Sequence, residues 1–500
     1  MQRIALAVAT LSVSLGVLTQ GCGNSSPPPP PPTIVDINGG LTGSGTSGSL
    51  FVVDGSGFGQ PTSANGYSVD FRDATSNAIV ATAAVNFAAG DWNDVFISAT
   101  VPSTLTASTT YKVTVTTPGA TSNAMGFLIV GSPSFSPSTI SWTATSSLPV
   151  AQQGFPTVVA PIGAATYIYA VGGNTAGSST VNGRSANAAS VYFNQLDAAT
   201  GALLNASWTT TTALPVPRGF AAAVVANGFN SKLGGNGTVY VLGGLDANGA
   251  PTNDVQAAAL NADGSIPATG AGTWGPASPL PQALYAHAAA IFQGRIYVVG
   301  GNDSSNTPVA AVYSAVINSD GTLGSWATLA SLPDKRAYHQ LASVAGRLYV
   351  VGGTNASAEP LASTQSSGSQ STIDYAAISL QDGTLPAAGW TVNATGLGKT
   401  REKFTAVSTG GYLLLSGGLY VGASTGSSEE SYAAVNADGS IASFNGATGN
   451  HTITGSTNGY NFFNQSSAYF VDAAGNPHVL ILGGADVNSG APHAEVWYQH

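Results

Sequence analysis

Three arginines recur at one register of the chain. Arg218, Arg336 and Arg401 each stand four residues after the leucine of a Leu-Pro or Leu-Gly step, where Gln152 and Leu284 hold the same place in other copies. A guanidinium offers a bidentate fork, so three of them facing one opening would suit a carboxylate ligand. Arginine at such a place can equally form ion pairs within the fold. Asp246, Asp303, Asn355 and Asp486 make a second register, each two residues after a Gly-Gly pair. They could contact a ligand, and they are also ordinary turn formers. His287 and His339 share a position with Phe155, Ala221 and Phe404. A position that accepts Phe is a packing position. The single cysteine, Cys22, excludes a disulfide framework and a multi-cysteine metal site. No HExxH, nucleophile elbow, phosphate loop or close carboxylate pair stands out, so no catalytic residue, metal or cofactor is assigned.

The elements that would position these residues repeat. An apolar strand ending in Gly-Gly occurs six times, its first glycines at 172, 243, 300, 352, 417 and 483. Tyr169, Tyr240, Tyr297 and Tyr349 lie on these strands and read as packing residues. Trp142, Trp208, Trp274 and Trp326 are each followed six residues later by Leu-Pro, and Trp390 with Leu397-Gly398 is a looser copy. Asp-Gly turns precede the tryptophan at Asp263-Gly264, Asp320-Gly321 and Asp382-Gly383, and Asp438-Gly439 precedes Phe444. Asp-Gly between β-rich runs signals a hairpin. Each unit therefore holds four short strands: after Leu-Pro, into Gly-Gly, before Asp-Gly, and with the Trp. The sixth copy is too irregular to align at the arginine register.

These markers and spacings resemble the Kelch repeat, of the galactose oxidase central-domain type, whose period is about 50 residues. The resemblance implies a six-bladed β-propeller over residues 138–500. Its last blade would be composite, because the chain ends at a third strand, Pro492 to Tyr498, while Thr139 to Trp142 supplies a spare fourth strand. Pairing the two removes exposed sheet edges. It also implies that the loop before the first strand and the loop after Gly-Gly open on one face, where Kelch propellers bind acidic peptides with both registers named above. The copper enzyme of this group needs a Cys–Tyr crosslink, and Cys22 lies far outside the repeats.

Residues 33–131 alternate short β-rich runs with Gly/Ser/Asn turns, the pattern of a β-sandwich. Gly55-Ser56-Gly57-Phe58-Gly59, Val69-Asp70-Phe71, Val101-Pro102 and Gly119 to Asn123 resemble the IPT/TIG family of immunoglobulin-like domains. Trp92 reads as a packing residue there. Arg3, the uncharged run Ile4–Leu18 and Leu18-Thr19-Gln20-Gly21-Cys22 resemble a bacterial lipobox, with residues 1–22 as signal peptide and Cys22 as the lipidated residue. Residues 23–32 carry six consecutive prolines, a semi-rigid polyproline II spacer.

Only 7% of the 500 residues are charged, while Gly (63) and Pro (27) are abundant, as suits an all-β chain with many turns. Thirteen basic against 23 acidic residues, with no basic cluster, argue against nucleic acid as a partner. The expected protein is all-β: an immunoglobulin-like β-sandwich, then a six-bladed Kelch-type propeller closed by its N-terminal strand. The expected role is an exported, lipid-anchored cell-envelope protein that binds a protein or glycan, acidic ones included, at the propeller mouth without catalysis. The membrane would be touched only through the anchor. Two alternatives stand: an enzyme acting on an acidic sugar, similar to sialic acid mutarotases, and a structural module of an envelope assembly.

Overall fold

In the repeat sheets the strands that run into Gly-Gly are buried along almost their whole length, whereas Thr157–Ile162 and Ala222–Ala226 alternate buried and half-buried residues. A computed structural model describes residues 31–500, except 38–41, 46–49, 88–91, 93, 95, 107–108, 130–141, 164, 178–180, 198–199, 227–235, 293, 319, 345–346, 380–382, 386–388, 394, 410–411, 421–429, 437–438, 446–461, 472–476 and 500. The expected signal peptide, Cys22 and the expected linker as far as Pro30 lie outside the described residues.

The N-terminal part consists of two sheets around one core. Thr33–Ile37, Leu50–Ser56 and Phe96–Thr100 pair antiparallel in that order. The other sheet runs Thr42–Gly45, Met125–Ile129, Thr109–Thr117, Ser68–Asp73, Ile79–Thr82, with Ala120–Thr121 beside Thr109–Thr117. Tyr111, Val113 and Val115 alternate inward and meet Phe51, Phe71 and Phe127. These three rings pack edge to face at centroid distances of 5.0–5.5 Å. Trp92 is buried in this core and donates its indole N–H to the Phe58 carbonyl at 2.9 Å. Gly57 and Gly59 have φ of +74°, whereas Gly55 is needed for close approach: a Cβ there would lie 2.0 Å from the Thr33 carbonyl oxygen.

The repeat region forms consecutive antiparallel sheets, numbered in chain order. The first is Thr157–Ile162, Ala165–Val171, Val191–Leu196, Thr209–Thr211; the second Ala222–Ala226, Thr238–Leu242, Val255–Ala259, Gly275–Pro276. The third is Ala288–Phe292, Arg295–Val299, Val312–Val316, Ala327–Thr328; the fourth Gln340–Val344, Arg347–Val351, Ile373–Ala377, Thr391–Val392. The fifth holds Thr405–Thr409, Tyr412–Ser416 and Glu430–Ala434. Its expected fourth strand at Phe444 reduces, among the described residues, to a bridge between Tyr432 and Asn445. The sixth joins the two ends of the region: Ser466–Val471, Pro477–Leu482, Val496–Gln499 and then Trp142–Thr145, with Trp142 opposite Gln499 and Thr145 opposite Val496. In the first four sheets the tryptophan comes just before the outer strand rather than inside it.

Each first strand lies against the first strand of the next sheet, and that of the sixth lies against that of the first. Apolar cores fill the spaces between neighbouring sheets, including Ile168 with Leu480 across the seam between the sixth and the first. Side-chain bonds add to this. Tyr169, Tyr240, Tyr297 and Tyr349 each donate their hydroxyl to the glycine carbonyl of the next sheet's hairpin, Gly264, Gly321, Gly383 and Gly439, at 2.6–2.9 Å. Trp208, Trp274, Trp326 and Trp390 donate back to carbonyls of the preceding sheet, at 2.9–3.0 Å. The second glycine of each Gly-Gly pair completes a belt. The N–H groups of Gly173, Gly244, Gly301, Gly353, Gly418 and Gly484 reach the carbonyls of Arg218, Leu284, Arg336, Arg401, Phe462 and Gln152 in turn. Both glycines of each pair have positive φ, and a Cβ on Gly300 would stand 2.4 Å from the Arg336 carbonyl oxygen, so no other residue fits. The result is a propeller-like closure.

Candidate functional site

The belt supplies the sixth copy that the sequence left unaligned: Phe462 is its equivalent of Gln152, Arg218, Leu284, Arg336 and Arg401. Two residues further on, a second and tighter ring closes. Backbone N–H groups of Phe220, Ala286, Tyr338, Lys403, Asn464 and Gly154 donate to the carbonyls of Gly154, Phe220, Ala286, Tyr338, Lys403 and Asn464 at 2.6–3.1 Å. All six residues have φ between +51° and +58°, and five of them are not glycine. Strain of this kind costs on the order of 1–3 kcal/mol per residue and persists only where surrounding structure dictates it. Here the ring of hydrogen bonds does so.

The arginines turn into their own sheets. Arg218 bonds Asp254 at 2.5 Å, and Gln256 shares that carboxylate. Arg336, 1% exposed, bonds Asp374 at 2.8 Å and the Gly352 carbonyl at 2.9 Å. Burial holds the Arg336 guanidinium below its ordinary range and the Asp374 carboxyl above its own, in each case against the pull of the partner. Arg401 reaches the Ser431 hydroxyl at 3.4 Å and lies over the Tyr420 ring. Gln152 is buried, its amide nitrogen without a hydrogen-bond partner. The three arginines clamp the starts of the second, fourth and fifth sheets to the first residues of, or just before, their third strands.

The second register caps turns. Oδ1 of Asp246 accepts from the amides of Asn248 and Ala250, Oδ1 of Asp303 from Ser305 and Thr307, and Oδ1 of Asp486 from Asn488 and Ser489. Asn355 donates to the Asp334 carboxylate at 2.6 Å. Asp246, Asp303 and Asn355 remain partly exposed, while Asp486 is buried. His287 and His339 are buried against the glycine pairs of the neighbouring sheets: a Cβ on Gly243 would meet the His287 ring, and one on Gly300 the His339 ring. Burial pulls them down to about 4 and about 3, so both rings are neutral near pH 7. They pack, as the Phe at this position in other copies suggests.

Sequence reasoning missed what covers the inner ring. The loops between second and third strands are longest in the first and fourth sheets, Gly172–Ser190 and Gly352–Thr372. These sheets face each other across the ring. The first loop carries a 3-10 turn, Val181–Ser185, and the second carries Ala358–Ala362. Ring side chains grip the second loop through its main chain. Tyr338 donates to the Ala358 carbonyl (3.4 Å), Lys403 Nζ to those of Glu359 (2.7 Å) and Ala362 (2.8 Å), and Asn464 to that of Pro360 (2.8 Å). Leu361 is buried with Phe220, Leu245, Tyr285 and Tyr338. Lys403 is 3% exposed, stands over the Tyr338 and Phe463 rings, and burial brings its amine down to about 8 despite Glu402 and Glu359 nearby. On the outer side Arg184 donates to the Tyr285 hydroxyl at 2.9 Å and lies 3.9 Å from the Glu359 carboxylate, and Asn306 bonds both Tyr285 and Glu359. The available signal was loop length alone. Among the described residues no group of three or more His, Cys, Asp or Glu is placed to hold a metal, and no helix is long and apolar enough to cross a membrane.

No family model matches the chain. Over 86 residues, 17% of this chain, it is 34% identical to Kelch-like protein 13 of Bos taurus and of Homo sapiens, and 33% identical to Kelch-like protein 9 of Mus musculus. The match spans 13–14% of those proteins' length. The similarity is thus to Kelch-like proteins over a small region. Together with the repeated four-stranded sheets and the closing terminal strands, it describes an all-β repeat protein with a propeller-like closure, an architecture consistent with a protein-interaction scaffold.

Proposed function

We propose that the chain is an exported cell-envelope protein, lipid-anchored through Cys22, in which an IPT/TIG-like sandwich and a six-bladed Kelch-type propeller form a scaffold that binds a protein or glycan. The observation that carries the binding role is the pair of closed backbone belts. They fix one ring of loops as a rigid platform, and rigid platforms carrying polar loops are the usual setting for recognition. In this reading the ligand meets the outer rim, where Asp246, Asp303, Asn306, Arg184 and Glu359 offer both signs of charge. Arg218, Arg336 and Arg401 serve as clamps behind it. The acidic-sugar enzyme would need unpaired guanidiniums at the mouth, and Arg218 and Arg336 are already neutralised by Asp254 and Asp374.

Peptide and glycan arrays probed with the full chain test the platform. A retained ligand should be lost from an Asp303→Ala/Glu359→Ala variant that unfolds like wild type; equal retention by both would remove the rim from the reading. For the anchor, Cys22→Ser should move the protein from the membrane fraction to the soluble one.

A further inference from the structure

We propose that the floor formed by the inner ring is a peptide-binding cleft, and that Ala358–Ala362, whose Ala362 N–H closes a turn on the Glu359 carbonyl, is its built-in occupant, held in place of a partner's proline-containing turn. The proposal rests on the reading of this face as the binding face.

The floor engages its occupant through the features that a free peptide would also carry. Carbonyls of Ala358, Glu359, Pro360 and Ala362 are each met by a donor from a ring residue, Tyr338, Lys403 or Asn464. Apolar side-chain contact is made by Ala358 and Leu361, both buried in one cluster with Phe220, Tyr285 and Tyr338. Pro360 brings no N–H that would need a partner against the floor, and its φ is already restricted. The donors belong to the fourth, fifth and sixth sheets, so the contact is made across the ring rather than within one hairpin.

The occupant is held less firmly on its outer side than on its inner side. On the outer side it is tied by Arg184–Glu359, a 3.9 Å pair whose side chains are 19% and 48% exposed, and by Asn306. Exposed pairs of this kind hold weakly. The rest of the insert is anchored separately, Ser366 to the Glu402 carboxylate and Gln365 to Thr400. Release of Ala358–Ala362 therefore leaves the insert attached. Tethering sets a millimolar-range effective concentration for the occupant, so a free peptide must outcompete it.

The test uses acetyl-Ser-Ala-Glu-Pro-Leu-Ala-amide, the chain's own segment 357–362, titrated calorimetrically into the full chain and into a variant with residues 356–363 replaced by two glycines. The trimmed chain should bind at least tenfold more tightly than the full chain. Asn464→Ala in the trimmed chain should weaken binding at least tenfold, and a peptide with aspartate in place of the leucine should not bind. A trimmed chain that keeps its thermal transition yet ignores the peptide overturns the proposal, as does equal binding by both chains. If the trimmed chain does not fold, Leu361→Asp in the full chain decides: it should gain peptide binding and speed amide exchange at residues 358–362, and no change in either overturns the proposal. A rim ligand found on arrays with no peptide binding by the trimmed chain would sink only this inference; the converse would sink only the rim.

Discussion

At the scale of single residues, the buried charges hold geometry more than they add stability. Burial pushes both Arg336 and Asp374 toward neutrality against their mutual attraction, and a buried pair of this kind commonly adds little net stability. Removing one partner leaves the other charged and enclosed. Asp374→Ala should therefore lower unfolding free energy by about 3–5 kcal/mol, whereas Arg336→Met/Asp374→Leu should return to within ~1 kcal/mol of wild type or exceed it. Urea titrations of the three proteins would show it; a double variant as weak as the single would mean that the pair is net stabilising. The two buried histidines make the fold acid-sensitive. Their protons are refused in the folded state down to about 4 and about 3, while the unfolded chain takes them up below about 6.5. The stability they contribute is complete above pH ~6.5 and declines as pH falls through that window. His287→Phe/His339→Phe, which copies the residue that Phe155 and Phe404 place at this position, should flatten the loss of thermal midpoint between pH 6.5 and 4.

At the scale of elements, one strand departs from its siblings. The third strands open with Val191, Val255, Val312, Ile373 and Val496, but the fifth sheet opens with Glu430, opposite Ser416. Its carboxyl is buried, both oxygens lack hydrogen-bond partners, and burial raises it to about 8, with the Trp142 indole acting weakly the other way. The unfolded chain loses this proton above about 4.5 and the folded chain keeps it to about 8, so stability falls as pH rises across that interval. Glu430→Val should remove the decline and stabilise the protein near pH 7 by about 2–3 kcal/mol; thermal melts from pH 5 to 8 read both effects. The same element logic explains what the sequence disclosed. Gly-Gly was legible because positive φ and close approach to the next sheet allow one residue type. The hairpin turns and the tryptophans were legible because each makes a side-chain or turn contact that repeats. The inner ring was not, since it is made by backbone groups and is occupied by Gly154, Phe220, Ala286, Tyr338, Lys403 and Asn464, which have no chemistry in common. The arginine register was seen, but its partners, Asp254 and Asp374, stand on different rungs of their strands, and nothing in their spacing announces the pairing.

At the scale of the whole molecule, stability is shared around the closure rather than stored in one core. Joining Trp142–Thr145 to Val496–Gln499 closes a loop of the entire repeat region, yet closure entropy grows only logarithmically, roughly 4 kcal/mol beyond that of a local hairpin. Burial of Trp142 beside Leu414, Phe462 and Trp497 is of the same size as that cost, since truncating a buried Trp removes about 3–5 kcal/mol. Both belts pass through the sixth sheet, by Gly484 to Gln152 and by Gly154 to Asn464, so loosening this seam loosens every other junction. Trp326 is the useful contrast, an equivalent tryptophan only partly buried in a sheet that is continuous in sequence. Trp142→Ala should lower the thermal midpoint further than Trp326→Ala. Deleting Trp142–Thr145 should in addition leave Val496–Gln499 as an unpaired edge and produce oligomers by size exclusion. A deletion variant that stays monomeric with the wild-type midpoint would mean that the circle is held by the remaining sheets alone, and that the terminal strands only decorate it.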